Sequence, residues 1–166
     1  MLRSVIFALA LAFSSPAVPQ APQTPPIDIA ARAKFSHDDG AAIDALSYIN
    51  RVVNDSIQYE SDQEHYGTLE LWVMFPQDGK GDCEDYALTK MGILSQAGFP
   101  IVTNAKMVGV IVHRRAKDGT DDGGGHAILA VLLPSGAVAY LDSMNEELMT
   151  REELVREGYE FFDWRA

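Results

Sequence analysis

Apolar residues recur at three- and four-residue steps from Ala42 to Ile57, at Ile43, Leu46, Ile49, Val53 and Ile57. That spacing puts them on one face of an amphipathic helix, and Ser36, Asp38 or Asp39 is suited to cap its start. A second helical pattern covers Cys83 to Gln96, with Ala87, Met91 and Leu94 on one side and Leu88 near them. Asp82 stands where its N-cap belongs, and Asp85 resembles the acid of a capping box. Gly98 followed by Pro100 stops it. Between the two helices, Gln58 to Lys80 mixes Tyr59, Tyr66, Trp72 and Phe75 with charges and is broken by Pro76 and Gly79. It reads as a loop with a short helical turn.

The pattern then shifts to short runs rich in Val, Ile and Leu: Ala105 to His113, Ala127 to Leu133 and Ala137 to Leu141. A Gly/Asp-rich loop (Lys117 to Gly125) and Pro134-Ser135-Gly136 separate them, which predicts a three-strand meander. Thr150 to Glu157 predicts a short helix and Tyr159 to Trp164 a closing aromatic strand. Helices first and antiparallel strands afterwards predict an α+β domain, with N-terminal helices packed on an antiparallel sheet.

Ahead of these elements, Met1-Leu2-Arg3 carries one positive charge, Val5 to Phe13 is an unbroken apolar run, and Ser15-Pro16-Ala17 supplies small residues. This is a secretory signal pattern, so residues 1–17 are expected to direct export of the chain. The run is far short of the roughly 20 residues that span a bilayer, so no membrane insertion is expected after signal removal. Residues 18–30 follow as a proline-rich leader, expected to be semi-extended. Residues 31–166 suit one compact domain. The formal net charge is −11, from 24 acidic and 13 basic residues. With no basic cluster to neutralise phosphates, nucleic acid is not an expected partner.

The chain has one cysteine. An exported protein cannot use a single cysteine for an internal disulfide, so an unpaired thiol there needs a reason. Cys83 opens the second helix directly after Gly81-Asp82. A helix N-terminus offers unsatisfied N–H groups and the positive end of the dipole, which favour thiolate and suit an oxyanion. Asp82, Glu84 and Asp85 pull the other way, so something positive must offset them. A protonated histidine is one candidate; a cation held by these acids is another, and calcium suits clustered carboxylates. The plainer alternative is that the acids cap the helix and face water.

A nucleophile needs a base. Of His37, His65, His113 and His126, the last is the most suggestive: Gly123-Gly124-Gly125 leads into it at the start of a predicted strand, leaving room for a substrate backbone. His113 is the rival, and His37 and His65 read as surface residues. Asp142 ends the next strand, and a hairpin of that length sets it across from His126, within reach of an Nδ1–H hydrogen bond. An aspartate ending a strand also commonly starts a turn.

These residues carry a resemblance. Gly81-Asp82-Cys83-Glu84-Asp85-Tyr86-Ala87 with Lys90 resembles the signature of the bacterial transglutaminase-like cysteine peptidases. Ile49-Asn50, Val53-Asn54, Ile57-Gln58-Tyr59, Asp62, Tyr66-Gly67 and Trp72 resemble the family's approach to the cysteine. Gly125-His126-Ala127-Ile128-Leu129 and Tyr140-Leu141-Asp142 resemble the segments holding its histidine and aspartate. The resemblance implies a papain-like, transglutaminase-type fold and a Cys83–His126–Asp142 triad. Its periplasmic LapG-type branch cleaves large surface adhesins, uses acids flanking the cysteine to bind calcium, and is sequestered by a membrane receptor for cyclic di-GMP. Carried over, this implies calcium at Asp82, Glu84 and Asp85, an adhesin substrate and such a receptor as partner. It also suggests Trp72 beside the active site, a core role being the alternative. Gln77 is a further candidate, as an oxyanion donor. The chain departs from the family between Val73 and Lys80, at Ser143-Met144, and in the length of the loop Lys117 to Gly125.

The expected chemistry is acyl transfer from a peptide carbonyl to Cys83, then to water. Two other functions fit the same residues: a transglutaminase-type acyltransferase, with an amine as acceptor, and a calcium-dependent binding module with a degenerate site.

Overall fold

Helix α1 spans Asp39–Ser56 and buries Ala42, Ala45, Leu46, Ile49, Asn50 and Val53. The apolar stripe is therefore the expected one with a difference: Ile43 lies off it, 40 % exposed, and the polar Asn50 lies on it. The computed structural model describes residues 39–99, 104–113 and 124–162. The expected signal, leader, Ser36, His37 and Asp38 lie outside the described residues, as do most of the Lys117 to Gly125 loop and the last residues of the closing strand. Among the described residues no helix is long and apolar enough to cross a membrane.

After α1 the chain forms β1 (Gln58–Tyr59), α2 (Asp62–His65), β2 (Lys80–Gly81) and α3 (Cys83–Gln96). β1 and β2 pair in parallel, Gln58 with Lys80 and Tyr59 with Gly81, a ribbon the sequence did not announce. It sets Asp82 and the start of α3 beside the end of α1. Helix α3 has the predicted bounds but buries nearly its whole circumference, with Glu84, Asp85, Thr89 and Lys90 among the buried residues. A helix with no single apolar face must be covered on all sides. Here α1 covers one side and the sheet another. The segment through Phe75 covers a third: Leu71 N–H donates to Asp62, Val73 N–H to Asp85 at 2.6 Å, and Phe75 N–H to Thr89 Oγ1 at 3.0 Å. Gly92 makes this approach possible, since a Cβ there would sit 2.6 Å from Met74 Sδ and 2.8 Å from Phe75 Cζ.

The remaining strands are β3 (Ala105–Val112), β4 (Gly124–Leu132), β5 (Val138–Leu141) and β6 (Tyr159–Phe161), with α4 (Arg151–Arg156) before the last. Their order is β5-β4-β3-β6, antiparallel throughout. The meander is as predicted. The closing strand crosses over instead of extending it, and pairs with β3 at the far edge, Val112 with Tyr159. Thr150 caps α4 with a complete capping box to Glu153, the reciprocal arrangement that satisfies two orphan donors.

Two cores follow from strand alternation. Leu129 and Val131 pack with Leu141 against Leu46, Ile49, Ala87 and Leu94 of the helices. Ile128 and Ala130 pack on the other face with Val110, Tyr140, Leu154 and Tyr159. Each fully buried aliphatic side chain contributes about 1.5–3 kcal/mol, so the sheet is held from both sides.

Lys90 is the exception inside this packing, 1 % exposed. Its Nζ lies 5.9 Å from the Tyr86 ring centroid. Burial lowers its pKa from 10.5 to about 7, against the opposing pull of Asp142. A lysine so depressed binds fewer protons folded than unfolded between about 7 and 10.5. It therefore weakens the fold at neutral pH and below, and the penalty fades as pH rises through that window. Lys90→Met should be more stable than wild type at pH 7 by roughly 2–4 kcal/mol in urea unfolding, and the difference should close as pH approaches about 10.

Candidate active site

Cys83 is the first residue of α3, presented by the β1–β2 ribbon, and is half-buried. Its Sγ donates to Glu84 Oε2 at 3.0 Å. Burial, then the hydrogen bond and charge of Glu84, push the thiol above its ordinary value; a backbone hydrogen bond from Ala127 pulls the other way. The lowering expected from the helix N-terminus is thus outweighed, because the sulfur leaves water and faces an acid. The Asp82 half of the expected cap is also absent. Asp82 occupies the N-cap position with no capping hydrogen bond from its side chain, its carboxyl bonding to that of Glu84 instead. Asp85 accepts from Val73 N–H and from Asp82 N–H, the reciprocal bond of a capping box. Both carboxylates turn towards one another.

The Ala127 contact brings the beginning of β4 to the sulfur, and with it His126. His126 and Asp142 pair at 2.7 Å, through Nε2 and Oδ1. The partnership is the one expected, but the nitrogen is not. By extension of the register Leu129–Leu141 and Ala130–Tyr140, Asp142 falls level with Ile128, so His126 reaches it diagonally with its far nitrogen. Asp142 is 1 % exposed. Burial alone would raise its pKa; the His126 hydrogen bond and charge, with donors from Met144 and Tyr159, hold it down to about 2. Its ionised form thus stabilises the fold fully above about 3.8, and that contribution is lost as pH falls towards 2. An aspartate this acidic only accepts hydrogen bonds, so His126 Nε2 carries the hydrogen and Nδ1 is the basic atom.

Cys83 and His126 line one cleft of about 420 Å³ with Tyr59, Tyr86, Gly124 and Met144. Both glycines before His126 in β4 are exposed with open space where a Cβ would be, as a groove for extended peptide requires. The rivals lie elsewhere. His113 pairs with Glu160 at 3.0 Å. His65 is no surface residue: its side chain is 13 % exposed, bonded to Asp78 at 2.7 Å and stacked on Tyr66. Gln77 donates to the Phe75 carbonyl, and neither it nor Trp72, which donates to Glu70, lines the cleft. The N–H of Cys83 itself remains the oxyanion donor that the helix start supplies.

The acids separate into two groups. Glu84 stands with Cys83 and Asp82, while Asp82 also stands with Asp62 and Asp85, ligand atoms in each group lying within 4.8 Å. Asp62 is the member that sequence reasoning missed as a ligand; nothing local marks it as 1 % exposed. Asp62 Oδ1, Asp82 Oδ1 and Asp85 Oδ2 are buried without hydrogen-bond partners. Burial raises Asp85 to about 6 and, with a hydrogen bond to Asp82, Glu84 to about 8. Converging buried carboxylates with orphan oxygens fit a hard, oxygen-seeking cation such as calcium.

A helix-borne thiol, a strand-borne imidazole and a buried aspartate on an antiparallel sheet define the papain-like, transglutaminase-type class of cysteine hydrolase site. The chain belongs to the bacterial transglutaminase-like cysteine proteinases, whose family model matches residues 28–164. The fold is that of Legionella pneumophila LapG in its calcium-bound form, at 22 % identity and a TM-score of 0.51 over 73 % of this chain. The match covers 65 % of that chain, so this chain spans slightly under two thirds of its length. No curated protein matches the sequence.

Gly81 is the backbone position on which the acid cluster closes. A Cβ there would lie 2.5 Å from Asp85 Oδ2 and 2.8 Å from Asp85 Cβ. Gly81→Ala should therefore displace Asp85 and cost about 1–3 kcal/mol, read as a lower urea midpoint with an unchanged slope.

Proposed function

We propose that this chain is an exported cysteine endopeptidase that cleaves a protein substrate by acyl transfer through Cys83, His126 and Asp142. The observation that carries it is the 2.7 Å His126–Asp142 bond at the edge of a cleft that Cys83 also lines. His126 Nδ1 takes the Cys83 proton and the sulfur attacks the peptide carbonyl carbon, whose oxygen takes the electron pair beside the Cys83 N–H. Collapse breaks the C–N bond as Nδ1–H protonates the leaving amine. Water then attacks the thioester, losing its proton to Nδ1, and the thiolate departs. Asp142 orients the ring and stabilises the imidazolium.

Asp62, Asp82 and Asp85 are the residues that would hold calcium, with Glu84 beside them. When bound, the ion supplies positive charge that favours thiolate over thiol. The signal-like residues 1–17 support export, and resemblance to the LapG-type branch supports a surface adhesin as substrate and a cyclic di-GMP-responsive membrane receptor as regulator. The Cys83–Glu84 bond favours one second reading, a calcium-dependent binding module whose thiol stays protonated.

Incubating native envelope extract with wild type and with Cys83→Ala, followed by mapping of new protein N-termini, tests the peptidase. Cleavages made by wild type alone are expected; an identical set with Cys83→Ala would remove the assignment in favour of the binding module. Calcium is tested without activity. Acids whose folded pKa values are raised make the metal-free fold lose stability as pH rises from about 4.5 to 8. Calcium at a hundredfold excess over its Kd should restore about 2.7 kcal/mol, seen as a higher melting temperature. Asp62→Ala and Asp82→Ala should each abolish that shift, and an undiminished shift in Asp62→Ala would remove Asp62 from the site.

A further inference from the structure

The Asp142 carboxylate is gripped by four donors from different parts of the chain. Oδ1 accepts from His126 Nε2 at 2.7 Å and from Met144 N–H at 3.0 Å. Oδ2 accepts from Tyr159 Oη at 2.6 Å and from Asn145 Nδ2 at 2.9 Å. Asn145 Nδ2 also donates to Tyr159 Oη at 3.1 Å, closing a three-membered ring of hydrogen bonds behind Oδ2. Tyr159 comes from β6, at the opposite sheet edge from β5. Its ring meets that of His126 edge-on, centroids 6.3 Å apart at 65°, so one side chain touches both members of the pair.

Asn145 is itself held. Asn50 and Asn54, one turn apart on α1, donate to its carbonyl at 2.7 and 3.2 Å. Asn54 also donates to the Asp142 carbonyl at 2.9 Å and Asn50 to that of Glu146 at 3.0 Å. This explains why the apolar stripe of α1 carries an asparagine at a fully buried position. The helix fastens the backbone that carries Asp142, and Asn145 and Tyr159 fasten its side chain.

We infer that Tyr159 and Asn145 are positioning residues that fix the Asp142 carboxylate and thereby the tautomer and aim of His126, with Asn50 and Asn54 clamping the loop that carries them. The inference rests on the triad reading above. A carboxylate with both oxygens occupied presents one direction to the imidazole. With the Oδ2 donors removed it can rotate, and Nε2–H loses its fixed acceptor.

Tyr159→Phe removes the hydroxyl and keeps the ring against His126. Two measurements need no physiological substrate: the His126 tautomer, from long-range proton–nitrogen correlation on histidine-labelled protein, and the rate of Cys83 alkylation by iodoacetamide at pH 7. Cys83 is the single cysteine, so alkylation reports this site alone. Wild type should show the Nε2–H tautomer. Tyr159→Phe and Asn145→Ala should each give a tautomer mixture and alkylation slower by about tenfold, the loss of one hydrogen bond to a charged group, with melting temperatures close to wild type. Wild-type tautomer and rate in both variants would overturn the inference; should Tyr159→Phe fail to fold, Asn145→Ala decides it. His126→Ala separates the two levels. If it alkylates at the wild-type rate, the triad reading itself falls. If it is slow while both positioning variants behave as wild type, only the positioning role falls.

Discussion

The site depends on one junction, where the first residue of α3 meets the beginning of β4 through the Ala127–Cys83 hydrogen bond. Helix and sheet come from distant parts of the chain, and neither holds a complete reactive pair. The apolar contacts of Leu129 and Val131 with Ala87 and Leu94 press α3 onto β4. The β1–β2 ribbon limits how far the helix start can slide. Given those two constraints, an imidazole one residue before Ala127 is delivered to the cleft without a dedicated loop.

The same junction concentrates opposing electrostatics. A carboxylate, Glu84, holds the thiol hydrogen from one side, while a second carboxylate, Asp142, holds the His126 imidazole. The first disfavours a reactive sulfur and the second favours one. Their environments differ: Asp142 is saturated with donors and strongly acidic, whereas Glu84 stands beside Asp82, which with Asp62 and Asp85 forms a crowded cluster holding buried oxygens without donors. Pairs of acids driven apart in this way divide a site into a part that keeps its charge and a part that awaits compensation.

Much of this was legible in the sequence wherever a period or a stop signal existed. The bounds of α3 follow from Asp82 and Gly98, and the meander from Val- and Ile-rich runs between glycine and proline breaks. Cys83, His126 and Asp142 were singled out as candidates from residue type, order and the family resemblance, and the structure brings His126 to Asp142 and sets Cys83 and His126 in one cleft. What was not readable has a common cause in tertiary hydrogen bonding. The stretch from Tyr59 to Lys80 has no period because buried carboxylates and Thr89 order it, not its own side-chain face. Asp62 gives no local sign of burial. The choice of Nε2 depends on a two-residue diagonal between strands, and the tyrosine that opens β6 looked like an ordinary strand residue until that strand crossed to the far edge.

That crossing bears on how the molecule comes into being. A chain delivered from its N-terminus has Cys83, His126 and Asp142 in hand before Tyr159 emerges. Until β6 docks on β3, the carboxylate lacks its shortest donor and Ile111 and Val112 lack their edge partners. Under the proposed mechanism chemical competence is thus tied to completion of the sheet, and a half-emerged chain holds its sharpest tool unset.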